Sequence, residues 1–228
     1  MKTKLIAGFT LIEMLVVIAI IATIAAFAVP ALTSAMAKGQ MTGTMNNARQ
    51  LYLAGYQMAL DGSTNSDSNR AWPGDYATGT CDTLPQYLQF LVQNDYLKGG
   101  DLQKVLSAPG ANCTASVAGS GNAMTVTLAG VPGLKVYKVK ESDAANTVFA
   151  VSANYTYASA LTGTNPYGDK GFIVVHKAGD GAVLRKNNAQ ASDYGNDAQR
   201  FQAAVGRITG DTEGTIGSED SSKILTVP

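Results

Sequence analysis

From Leu11 to Val29 this 228-residue chain carries only two polar side chains, Glu13 and Thr23. Nothing else in the sequence limits the fold as strongly. A run of this length crosses ~30 Å of hydrocarbon at roughly 1.5 Å per residue. An ionised carboxylate inside such a span is costly and ordinarily marks a function. Three readings of the segment compete. A secretory signal has a shorter apolar core that ends at a small-residue site such as A-x-A. Here the charged leader is short (Lys2 and Lys4), and the small residue Gly8 precedes the apolar run. A plain single-span anchor accounts for the hydrophobicity but gives no reason for Glu13.

The third reading rests on a resemblance. The order Gly8-Phe9-Thr10-Leu11-Ile12-Glu13, with Pro30 further along, resembles the N-terminal signature of the type IV pilin-like family. The resemblance implies a prepilin peptidase that cuts after Gly8 and N-methylates Phe9. It marks a leader at 1–8 and a long helix at 9–61 with a transmembrane segment at 9–30; the residue pattern that follows reads as a globular α+β head at 62–228. Positive flanks stay in the cytoplasm, so the head would lie outside it. The localisation implied is a single-pass inner-membrane protein, then a periplasmic or cell-surface filament. The partners implied are other copies of the chain, the prepilin peptidase and an inner-membrane assembly platform.

Within this family Glu13 is expected to pair with the N-terminal amine of a neighbouring copy. Neither charge is tolerable alone in an apolar core, whereas the pair is far less costly. Pro30 lacks a backbone N–H and clashes with the preceding turn, so a kink or local break is expected there. Many relatives have a glycine shortly before this proline. Here Ala22 and Thr23 stand in that stretch, and both keep a helix better.

The helix is expected to continue past Pro30. Met41, Met45, Ala48, Tyr52, Tyr56 and Ala59 recur at three- and four-residue steps, opposite Gln40, Thr44, Asn47, Gln50 and Gln57. Asp61-Gly62-Ser63 reads as its end. Gly39, Gly43 and Gly55 weaken the pattern. An unbroken helix from Phe9 to Leu60 would be roughly 80 Å long, an element of a filament more often than of a compact enzyme.

Charge narrows the function further. Removing Lys2 and Lys4 from the 17 basic residues leaves 15 against 17 acidic ones. That balance provides no basic excess for nucleic acid. No G-x-S-x-G, Walker loop or H-E-x-x-H motif occurs. The single histidine, His176, lies in a strand pattern with Phe172 and Val174, which favours a structural role. Neither cysteine sits in a C-x-x-C pair, so no zinc site is readable. An even count of two, Cys81 and Cys113, permits a disulfide in an exported chain. The loop it would close is about 30 residues, worth around 3–4 kcal/mol in the chain-entropy picture; two separate buried thiols are the alternative. Asp211, Glu213, Glu219 and Asp220 form an oxygen-rich tail of the kind that can hold calcium. Some secretion pseudopilins bind calcium late in the chain. The spacing here is not that of an EF-hand, and a solvated acidic tail is the commoner case. No other cofactor is indicated.

About 165 residues follow the long helix, ample for one core. Gly62 to Gly79 reads as a loop in which Trp72 lids the core. Thr83 and Gln86 form a capping box for a helix that presents Leu84, Tyr87, Leu88, Leu91 and Val92 on one face and stops at Gly99-Gly100. Asp101 is expected to cap a short second helix, ended by Pro109-Gly110. Strand patterns then follow at Met124–Leu128, Leu134–Lys140, Thr147–Ser152, Gly171–His176 and Ala182–Arg185. Asp180-Gly181 favours a hairpin between the last two. The expected architecture is α+β: a long N-terminal helix packed against an antiparallel sheet of four or five strands.

The function implied is a structural filament subunit and not an enzyme. A type II secretion pseudopilin is the alternative within the family. From another class, the alternative is a membrane-anchored binding module or enzyme that borrows a pilin-like anchor.

Overall fold

The computed structural model describes residues 10–227. The chain divides into two compact units, one ending at Gly39 and one beginning at Gln40. Helix α1, Leu11–Asn65, belongs to both. The break expected at Pro30 does not occur, and the helix continues through it. A proline removes one helical hydrogen bond. Its neighbours Ala25, Ala26, Ala28 and Ala31 are the strongest helix formers and hold the flanking turns. The helix also runs one turn past Asp61. Thr64 and Asn65 donate to the carbonyls of Leu60 and Asp61, and Ser66 at φ 54° then ends it.

The second unit packs α1 residues from Gln40 onward into the head. The buried face includes Met41, Thr44, Ala48, Leu51, Tyr52 and Met58. It is wider than the stripe read from the sequence, and Tyr56 sits at its rim, 44% exposed. Two neighbours cause the widening. Phe149 meets Tyr52 edge-on at 5.6 Å, and Tyr87 abuts the helix backbone at Gly55. Thr44, read as solvent-facing, is buried because its hydroxyl pairs with that of Tyr167 at 2.5 Å.

Helix α2, Leu84–Gln93, begins with the expected capping box: the Thr83 side chain accepts from Gln86, and Gln86 reaches back to the Thr83 amide. It buries Leu84, Tyr87, Leu88, Leu91 and Val92. It stops at Asn94, before Gly99-Gly100, because Asp95 takes a left-handed conformation at φ 62°. A short 3-10 turn at Gly99–Asp101 leads into helix α3, Leu102–Val105, where Asp101 makes no side-chain cap.

Two antiparallel sheets follow. Strands β1 (Thr114–Ala118) and β2 (Thr125–Ala129) form a two-stranded ribbon. Strands β3 (Leu134–Val136), β4 (Val148–Ser152), β5 (Gly171–His176) and β6 (Gly181–Arg185) form a four-stranded sheet in that order. Every residue of β4 and β5 is buried. That is why both read as unbroken apolar runs rather than alternating ones. The β5–β6 hairpin turns across Gly179-Asp180-Gly181, as expected. Tyr155 stacks on Phe172 at 3.9 Å, and Tyr157 packs on Phe201 of helix α4, Ala198–Ala204. The architecture is α+β: a long N-terminal apolar helix and antiparallel sheets in the C-terminal part.

Candidate functional site

The N-terminal unit is built around one carboxylate. Thr10 precedes the first turn of α1 and takes the cap position. Its amide and hydroxyl donate to Glu13 Oε2 at 2.8 and 2.7 Å, and the Glu13 amide donates to Thr10 Oγ1 at 3.3 Å. This is a reciprocal capping box, which satisfies amides left over at a helix start. The T-x-x-E spacing is visible in the sequence but lies beneath the processing signature. Gly8 and Phe9, the expected processing residues, lie outside the described residues.

Between Glu13 and Val29 the helix is apolar all round except for Thr23. Every large apolar side chain from Leu11 to Val29 is exposed, from Val17 at 45% to Leu11 at 85%. Thr23 donates to the Ala19 carbonyl at 2.8 Å, so its hydroxyl is satisfied within the helix. Among the described residues, α1 is the one helix long and apolar enough to cross a membrane. Burial of each such Leu, Ile or Phe is worth about 1.5–3 kcal/mol. A helix that offers this on all sides is suited to lipid or to other helices, not to one flank of a globular core.

The remaining candidates lie in the second unit, and the structure keeps them apart. The bridge between Cys81 and Cys113 is not formed: both are free, buried thiols. They sit in different surroundings. Cys81 lies near Lys138, Asp82 and Tyr87, whereas Cys113 immediately precedes β1. Burial pushes the Cys81 thiol up to about 12 and also raises that of Cys113. Both therefore stay neutral and poorly nucleophilic at ordinary pH. Iodoacetamide at pH 8 is expected to label neither in the folded protein. In denaturant without reductant it should add two labels, read by intact mass; a chain that takes none there would carry a bridge after all.

The four tail carboxylates named as calcium candidates do not converge. Among the described residues, no group of three or more His, Cys, Asp or Glu side chains is placed to hold a metal ion. Three of the four are engaged separately. Asp211 pairs with Lys223 at 3.1 Å, Glu219 pairs with Lys135 at 2.5 Å, Asp220 accepts from the Ser222 amide at 2.8 Å, and Glu213 is exposed. His176 is structural, as expected. Its Nδ1 lies 2.7 Å from Asp180 and its Nε2 3.1 Å from the Val205 carbonyl, tying β5 to the end of α4. Trp72 is 2% exposed against Tyr52, Tyr56 and Phe149, and its indole N–H donates to Glu141 at 2.6 Å.

Residues 4–29 match the family described as a prokaryotic N-terminal methylation motif. The chain is also similar to the type IV major fimbrial protein FimA of Dichelobacter nodosus. The two are 29% identical over 117 residues, which cover 48% of this chain and 75% of the relative. No solved structure matches.

Proposed function

We propose that this chain is a member of the type IV pilin-like family and the structural subunit of a type IV pilus-like filament, processed between Gly8 and Phe9 and assembled through its N-terminal helix. The observation that carries this reading is the stretch from Leu11 to Val29, which lies within the methylation motif, holds Glu13 as its single carboxylate and leaves its apolar side chains uncovered. The family is a structural one and not an enzyme family.

The mechanism is packing. Before assembly, lipid covers Leu11 to Val29; in the filament, the same residues of neighbouring copies cover one another. Head-to-tail contacts of this kind do not close, so they generate a fibre. Glu13 sets the register by pairing with the amine of Phe9 on an adjacent copy. The prepilin peptidase and an inner-membrane assembly platform are the partners this process requires. The fimbrial relative supports a pilus over a secretion pseudopilus.

Intact mass and N-terminal sequencing of native protein from membranes and from sheared surface material test the proposal. The expected start is methylated Phe9, with the protein abundant in the sheared fraction. Confinement of that processed form to membranes would replace the pilus with a pseudopilus. A start at Met1 would overturn processing altogether.

A further inference from the structure

Strand β3 is an edge strand of the four-stranded sheet, and an uncovered edge is a template for pairing with another chain. In this head the chain's own tail pairs with the end of that edge, from Val136 of β3 on to Lys138. The Leu225 amide donates to the Val136 carbonyl at 2.9 Å, and the Lys138 amide donates to the Lys223 carbonyl at 2.8 Å. Tyr137 and Ile224 form an antiparallel bridge between them. One residue on, Thr226 pairs with Thr83 at the start of α2, and Leu225 is 2% exposed.

Three residues of pairing are too few to hold a tail by themselves, because a strand this short gains little against the entropy of ordering it. The holding group is Glu219. Its side chain is only 7% exposed. It accepts from Lys135 Nζ at 2.5 Å, from the Tyr137 hydroxyl and from the Tyr157 amide at 3.1 Å. Lys135 also donates to the Tyr155 carbonyl at 2.8 Å, so the ammonium is satisfied as well. A second carboxylate, Asp211, is 6% exposed and braces the tail internally, pairing with Lys223 and accepting from the Gly217 amide. A Cβ at Gly217 would fall 2.2 Å from Asp211 Oδ1, so this fastening requires glycine there.

We propose that residues 211–227 are a strap that closes the β3 edge, and that the clasp of Glu219 with Lys135 and Tyr137 keeps it closed without a disulfide or a metal ion. Release of the clasp uncovers the backbone from Val136 to Lys138, at the end of β3, and lets a second head pair with it. The proposal does not depend on processing at Gly8 or on filament growth.

The test is limited proteolysis with mass readout on the full chain in detergent micelles. Glu219→Gln leaves the half-buried Lys135 ammonium without its charge partner, and breaking a largely desolvated pair in this way is strongly destabilising. Cleavage within 211–227 is expected to rise about a hundredfold, since it follows the population of the open strap. Sedimentation should show new oligomers. Asp220→Asn, at an exposed carboxylate that touches only its own turn, is expected to leave both unchanged. Wild-type protection should survive dithiothreitol and EDTA. Wild-type cleavage in Glu219→Gln, or loss of wild-type protection on adding either reagent, would overturn the clasp.

Hydrogen exchange of the wild type decides the matter if the variant does not fold. The Lys138 and Leu225 amides are expected to exchange together and before those of β4 and β5. Exchange of all four groups in a single global step would overturn the strap as a separate unit.

Discussion

Glu13→Ala is expected to abolish filaments while leaving the processed start at Phe9 intact. Two roles for Glu13 are separable by magnitude. In the single chain it closes the capping box with Thr10, and loss of a cap costs about 0.5–2 kcal/mol. In the filament it would neutralise an amine within an apolar core, and leaving one buried charge without its partner costs about 3–5 kcal/mol. The second effect is larger and recurs at every subunit, so it should dominate. Glu13→Gln tells the two apart. Its amide oxygen still accepts from Thr10, but it carries no charge. It is therefore expected to fail like alanine, while Thr10→Ala should retain filaments at reduced yield. Sheared-fraction yield and electron microscopy measure both. Normal filaments from Glu13→Gln would reduce Glu13 to a helix cap.

How much of this is legible in the sequence follows from the range of each interaction. The capping box at Thr83, the Asp180-Gly181 hairpin and the apolar strands β4 and β5 are set by residues close in sequence, and the pattern of each matches the structure. The ribbon is half legible. Strand β2 alternates Val126 and Leu128 with threonines, whereas its partner β1 offers Ala115 and Val117 among small residues, too weak a period to register. Helix α4 is only seven residues long, so its cap at Asp197 has little pattern behind it. The tail misleads for a different reason. Glu219 finds Lys135 across 84 residues of chain, and no local pattern distinguishes such a carboxylate from a solvated one. The same blindness produces both the calcium candidates and the cysteine bridge. Each is a pairing inferred from composition, and tertiary packing assigns the partners otherwise.

Glycine substitutions in α1 are expected to change head stability in opposite directions. An exposed helical glycine replaced by alanine gains about 0.5–1 kcal/mol, because the unfolded chain loses freedom and the helix gains propensity. A Cβ added at Gly43 would meet nothing within 4 Å, so Gly43→Ala should show that gain. Gly55 lies on the same helix, but a Cβ there would fall 2.1 Å from the Tyr87 hydroxyl and 4.0 Å from the Phe149 ring. Tyr87 is fully buried at the heart of α2 and cannot swing into solvent. Gly55→Ala must therefore push α2 from α1, and Gly55→Leu must push further, costing about 3 kcal/mol at the upper end of overpacking effects. The hydroxyl responsible has no hydrogen-bond partner among the described residues. Tyr87→Phe should consequently be tolerated and should recover part of the loss in a Gly55→Ala background, a coupling that a double-mutant cycle measures. Urea unfolding followed by the fluorescence of Trp72, the only tryptophan and buried against Tyr52 and Phe149, reports on this packing directly. Equal stabilisation by alanine at positions 43 and 55 would show that α1 and α2 are not in contact at Gly55.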